Sequence, residues 1–220
     1  MAFSSDKSSE VQTSRAVAEE RPELLVCCGL AGLIGACVMT VGVLILQFVH
    51  PDHDPVADTI SDLARGDAGI WMDVGFYVNA AGMLALAIAA AHVHLGRLWW
   101  SVGIFTLAGI ALVVVLLGVW DQFNEHPSDD WSVHTRLSIF LWPLFALGPL
   151  AMARGAGEEA PVYAKLFVAS GLLWAVSAPV FFLVPNGVDG LVERIVGVFT
   201  LGWVGPLAWL FLARGRAALR

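Results

Sequence analysis

Between Asp54 and Gly66 the chain reads Asp-Pro-Val-Ala-Asp-Thr-Ile-Ser-Asp-Leu-Ala-Arg-Gly, a spacing that sets Asp58, Ser61, Asp62 and Arg65 three and four residues apart. On a helix those positions share a face. A serine hydroxyl flanked by two carboxylates is either a nucleophile or a holder for a polar headgroup. The local sequence supplies no base beside it, and a surface helix with a polar face accounts for the same pattern. The imidazole that would serve as base stands far along the chain, at His134, with Ser138 one turn beyond it. His134 has the chemistry of a general base, a metal ligand or a proton acceptor, and also that of a structural partner for Asp121 or Asp130. Glu193 and Arg194 form a third group that suits a zwitterion or a proton. Helical neighbours point about 100° apart, so the two need separate partners. The candidate ligand-binding set is therefore Asp58, Ser61, Asp62, Asp121, His134, Glu193 and Arg194.

These residues punctuate six apolar runs, roughly Leu24 to Val49, Val74 to Ala91, Leu98 to Trp120, Leu137 to Ala153, Leu166 to Val184 and Ile195 to Ala213. A hydrocarbon core about 30 Å thick needs about 20 helical residues, and each run comes near that length, the fourth once polar residues before Leu137 are added. None of the six shows the alternation of barrel strands, so the backbone must satisfy itself as helix. The composition agrees, with 58% hydrophobic and 14% charged residues and a mean hydropathy of +0.74. The fold class expected is an all-α bundle of six transmembrane helices with a short extracytoplasmic surface helix. Residues 1–23, Ser-rich and charged, read as a disordered cytoplasmic tail, 24–214 as the membrane domain and 215–220 as a basic cytoplasmic tail.

Charge sets the expected orientation. With the N-terminus in the cytoplasm, Lys7, Arg15, Arg21, Arg97, Arg154, Lys165, Arg214, Arg216 and Arg220 lie inside, and only Arg65, Arg136 and Arg194 lie outside. Twelve of the 19 acidic residues also fall outside. Multi-pass insertion in the cell membrane with both termini cytoplasmic follows, and the net charge of -7 reflects the outer loops rather than a cationic partner.

Local signals fill in the design. Asp54 before Pro55 reads as an N-cap and Gly66 as a stop, giving a helix from Pro55 to Arg65 with Val56, Ile60 and Leu63 on its apolar face. Ser128 is placed to cap the fourth helix and Asp189 the sixth. Gly29, Gly32, Gly35 and Gly42 give the first helix a small face for close packing inside the bundle. Trp71, Tyr77, Trp120 and Trp131 on one side, and Trp99, Trp100, Tyr163 and Trp209 on the other, read as interfacial anchors. Asn79 reads as a helix-to-helix hydrogen bonder, and His92 and His94 as cationic caps at a helix end. Cys27, Cys28 and Cys37 share one helix and form no disulfide framework.

Cofactors are not expected. The outer His50, His53, His126 and His134 raise zinc, but His-Pro-Asp-His does not set two ligands one helical turn apart. There is no phosphate loop, CxxC pair or haem signature. Nucleic acid is excluded by the lack of a basic cluster beyond the ordinary cytoplasmic ends.

The Asp-Pro-Val-Ala-Asp-Thr-Ile-Ser-Asp-Leu stretch, the His134 start of the fourth helix and Gly190-Leu-Val-Glu-Arg-Ile before the sixth resemble the family of membrane proteins catalogued as domain of unknown function 998. The resemblance spans roughly Leu24 to Ala213. It implies six membrane helices and no assigned activity, and family members often look to have Gln at the position of Glu193. Three functions fit these residues. One is an outward-facing pocket that binds or passes a small polar or amphipathic molecule, a lipid included. Another is a membrane-embedded lipid hydrolase using Ser61 and His134 or a metal-activated water. The third is a partner subunit whose polar residues only knit the outer ends together.

Overall fold

A computed structural model describes residues 20–65, 69–96, 98–120, 132–185 and 187–220. Six helices carry the chain: α1 (Pro22–Val49), α2 (Gly69–Val93), α3 (Leu98–Trp120), α4 (Val133–Glu159), α5 (Pro161–Phe181) and α6 (Asp189–Ala218). All six are long and apolar enough to cross a membrane, and no strand occurs among the described residues. The helices extend past the apolar runs at several ends. Pro22 opens α1 with its fixed φ at the first position, and α6 runs on to Ala218 through the segment read as a basic tail.

Each helix packs against its sequence neighbours and α6 closes back on α1, so the bundle is a ring rather than a stack of layers. Closure depends on the small face of α1. A Cβ on Gly29 would stand 2.8 Å from both the Ala208 carbonyl oxygen and the Leu212 nitrogen of α6. On the α2 side, a Cβ on Gly35 would stand 3.0 Å from the Val78 carbonyl oxygen, and one on Gly82 would stand 2.9 Å from that of Ala31. Gly42 differs, since its Cβ would meet nothing within 4 Å. The exterior is an apolar belt in which Ile34, Phe105, Leu112, Phe140 and Val176 are all more than half exposed, as expected of side chains solvated by acyl chains.

The end of the ring where α1 begins and α6 finishes is tied by charge. Arg214 of α6 donates to both carboxylate oxygens of Glu20, at 2.9 and 2.7 Å, and to Glu159 at the end of α4 at 2.5 Å. The Arg214 hydrogen bond holds the Glu20 carboxyl below its ordinary range. His92 reaches the start of α1, where its Nε2 accepts the Arg21 backbone N–H at 2.8 Å. His94 bonds the Ser101 hydroxyl. Trp100 departs from the anchor reading: it is 1% exposed and its indole N–H donates to the Ala90 carbonyl. Trp71, Trp99 and Trp209 are exposed, as anchors should be. The three cysteines are free. Trp131 lies outside the described residues, as does Arg97.

The opposite end of the ring holds the candidate residues Ser61, His134, Glu193 and Arg194. There the α1–α2 connection folds back over the ring, and it is not the single helix expected from Pro55 to Arg65. It forms a turn over Asp54 to Asp58 followed by a 3₁₀ helix at Ser61–Ala64. The break has a cause in side chains that compete for backbone donors. Asp54 Oδ1 accepts from Val56 N–H, Asp58 Oδ2 from Asp54 N–H, and Asp62 Oδ2 from both Thr59 N–H and its hydroxyl. Leu63 is fully buried and Ile60 packs on the core, but Val56 is turned out and is 43% exposed. Two caps also differ from expectation. Ser132 caps α4 by accepting Thr135 N–H at 3.0 Å, Ser128 lying outside the described residues, while Asp189 sits inside the first turn of α6 without a capping bond.

Candidate functional site

A cavity of about 630 Å³ opens inside the ring beneath this connection. Its walls are mostly apolar: Met39 and Val43 from α1, Met83 from α2, Val114 and Leu117 from α3, Phe145 from α4, Trp174 from α5 and Leu201 from α6. Its charged side chains, Arg65, Glu193 and Arg194, gather at the connection end with Gln47, Ser61 and His134, while Thr40, Asn79 and Thr200 line it deeper, the two threonine hydroxyls bonding back to their own helices. The lining reaches as far as Ala36 on α1 and Val204 on α6, near the middle of each helix.

Four of the expected site residues therefore meet in one place, although they come from three distant segments. Ser61 Oγ lies 3.0 Å from His134 Nε2. Glu193 Oε2 accepts the Ile60 backbone N–H at 2.5 Å, one residue before Ser61. Arg194 spreads its guanidinium over four acceptors, donating from Nη1 to the carbonyl oxygens of Asp58 and Gly190 at 2.8 and 2.9 Å. Its Nε faces Gln47 Oε1 at 3.3 Å and its Nη2 faces His53 Nε2 at 2.8 Å. A backbone bond from Leu191 N–H to Val56 O adds to this clamp. Gly190 makes the approach feasible, since a Cβ there would overlap the Asp58 carbonyl. Glu193 and Arg194 thus fix the loop that presents Ser61.

The other expected residues do something different. Asp58 and Asp62 lie off the cavity lining and spend their carboxylates on turn backbone, on His53 and on Arg65. Asp121 lies outside the described residues, as do His126, Ser128 and Asp130. Asn79, read as a helix-to-helix bonder, faces the cavity. Gln47, Trp142 and Trp174 were not singled out from sequence. Gln47 had a signal, as an amide in an otherwise apolar run from Val41 to Val49. The tryptophans had none, because their role rests on a reciprocal pairing of α4 and α5: Trp142 donates to Ala175 O and Trp174 to Trp142 O. Among the described residues no group of three or more His, Cys, Asp or Glu is arranged to hold a metal ion.

A model for "Protein of unknown function (DUF998)" matches residues 33–210. The chain belongs to the DUF998 family. No match was found among curated proteins or among solved structures. The DUF998 match covers every lining residue of the cavity.

His53 makes the clamp sensitive to acid. Its side chain is 2% exposed, and burial, followed by the adjacent Arg194, holds the imidazole below its ordinary range. Arginine only donates, so Nε2 must accept, which leaves the proton on Nδ1, 3.8 Å from Asp58 Oδ2. The unfolded chain takes up a proton near pH 6.5, about the ordinary histidine value, while the folded chain resists it. The His53 contribution to stability is therefore complete above that pH and is lost as pH falls toward the lower folded value. Unfolding measured in detergent between about pH 7.5 and 5 should show stability declining on acidification. His53→Gln should flatten the decline, and an unchanged slope would assign the effect to other groups.

Proposed function

We propose that this protein binds one amphipathic, lipid-like molecule, with the apolar part inside the ring and the polar head against Ser61, His134 and the Glu193–Arg194 clamp. The observation that carries this is the gradient of the cavity, mostly apolar in its depth and with its charged side chains, Ser61 and His134 at one end. Ligand pockets of comparable size bury most of a ligand against apolar walls and orient it with few polar groups. The lining stops near the middle of the helices, which favours binding over passage. The distribution of Lys and Arg supports insertion in the cell membrane with both termini in the cytoplasm, and the head would then enter from the outer face.

Gly197 offers a clean test, because it lines the cavity and its Cβ would meet nothing within 4 Å. Gly197→Phe fills the space without forcing the backbone. Purified protein should bind a dansyl-labelled lysophosphatidylcholine, read by energy transfer from tryptophan. The variant should bind at least about tenfold more weakly, the equivalent of about 1.4 kcal/mol. Equal binding by the two proteins would place the lipid elsewhere and overturn the reading.

A further inference from the structure

We infer that Ser61 and His134 form a nucleophile and base pair that cleaves an acyl ester of the bound amphipath. This rests on the binding reading above and adds a reaction to it. Three observations carry it. The Ser61 hydroxyl and His134 Nε2 are 3.0 Å apart, within the reach a base needs to take a serine proton. Both side chains line the cavity at its connection end, beside the proposed head position, where an ester joining that head to an acyl chain in the ring would lie. The pair is also held on both sides, because Glu193 fixes the residue before Ser61, Arg194 fixes Asp58, and Ser132 caps the turn that carries His134.

In the reaction, Ser61 Oγ bonds to the acyl carbon while its proton passes to His134 Nε2, and the carbonyl electron pair moves onto oxygen. That pair returns as the bond to the alcohol breaks, and the alcohol leaves with the proton from His134. Water then attacks the acyl-serine carbon and gives a proton to His134, and Ser61 takes that proton back as the carboxylic acid departs. Water is the only co-reactant, and Ser61 lies at the end of the cavity whose rim includes the exposed Arg65. Arg65 is itself paired with Asp62 at 2.9 Å. The Arg194 guanidinium is likewise spent, on Asp58, Gly190, Gln47 and His53, which makes it a positioning residue.

The test uses the full chain in detergent with a decyl fluorophosphonate, which forms a bond from phosphorus to an activated serine oxygen and releases fluoride. Hydrolysis of 4-nitrophenyl decanoate is followed in parallel, and dansyl-lysophosphatidylcholine binding is measured on every variant. The expected result is a phosphonate adduct on Ser61, located by mass spectrometry and lost in Ser61→Ala. Labelling and hydrolysis should slow about 100-fold or more in His134→Gln, the span of a general base, while both variants still bind the lysolipid. Ser177→Ala, off the lining, whose hydroxyl only bonds back to the Leu173 carbonyl, should react like wild type. If wild type binds the lysolipid but gives no adduct on Ser61, or if His134→Gln reacts at the wild-type rate, the hydrolytic inference fails and the binding reading stands. If wild type neither binds nor reacts, both fail.

Discussion

Gly29→Leu should separate α6 from α1 and unfold the protein at a markedly lower denaturant concentration. The first carbon of any side chain at residue 29 would already lie 2.8 Å from the Ala208 carbonyl oxygen and 2.8 Å from the Leu212 nitrogen. Both are backbone atoms within α6, so no rotamer change relieves them and the helices must move apart. Overpacking of this kind costs about 1–3 kcal/mol, a range that fits Gly29→Ala, and leucine adds three more carbons to the same gap. Helix association in a bilayer depends on close packing rather than on hydrophobic exclusion, so separation is not offset by burying new surface. The control is Gly42→Leu on the same helix, which opens on space and should change stability by less than about 0.5 kcal/mol. Dodecyl sulfate titration in mixed micelles, followed by far-ultraviolet circular dichroism, measures both. Lysolipid binding should fall with Gly29→Leu as well, because α1 and α6 bring Met39, Val43, Leu201 and Val204 to the cavity. Equal stability of the two glycine variants would mean that the α1–α6 seam is not where the ring closes.

The helices were legible in sequence because a membrane span is a length and composition problem. Six uninterrupted apolar runs of the required length leave no other backbone solution. The convergence of Ser61, His134, Glu193 and Arg194 was legible only as a list of polar residues at the ends of those runs. Their roles were not, because each role depends on a partner more than 70 residues away: His134 for Ser61, Ile60 for Glu193, Asp58 for Arg194. The same distance explains the connection after α1. Its three- and four-residue spacing is that of a helix, yet the Ile60 N–H is taken by a carboxylate from α6, and Asp58 and Asp62 turn back on their own backbone. Carboxylates that read as ligand groups are turn builders here, since short acidic side chains find a backbone donor before they find a ligand.

Arg194→Ala should be the most damaging single change at the cavity mouth. Three nitrogens of one guanidinium reach α1 through Gln47, the loop through His53 and the Asp58 carbonyl, and α6 itself through Gly190. Removing the fork leaves the Asp58 carbonyl and the His53 nitrogen without their donor in a partly buried setting, and a hydrogen bond to a charged group contributes about 1.5–3 kcal/mol. A loss of about 3 kcal/mol is expected, tempered by the bonds that survive, Leu191 to Val56 and Ile60 to Glu193. Arg194→Lys should recover less than half of it, because an ammonium is a point charge and cannot span the fork. Limited proteolysis between Pro51 and Arg65 should accelerate in Arg194→Ala, since the loop is held to α6 mainly through these contacts. Acid sensitivity provides the separate check. Arg194 is, after burial, the larger influence that holds His53 below its ordinary range, so its removal should flatten the loss of stability on acidification, leaving the part that comes from burial alone. Faster proteolysis with an unchanged pH slope would show that Arg194 holds the loop without governing His53. A flattened slope together with the faster proteolysis would tie the proton and the clamp to the same side chain.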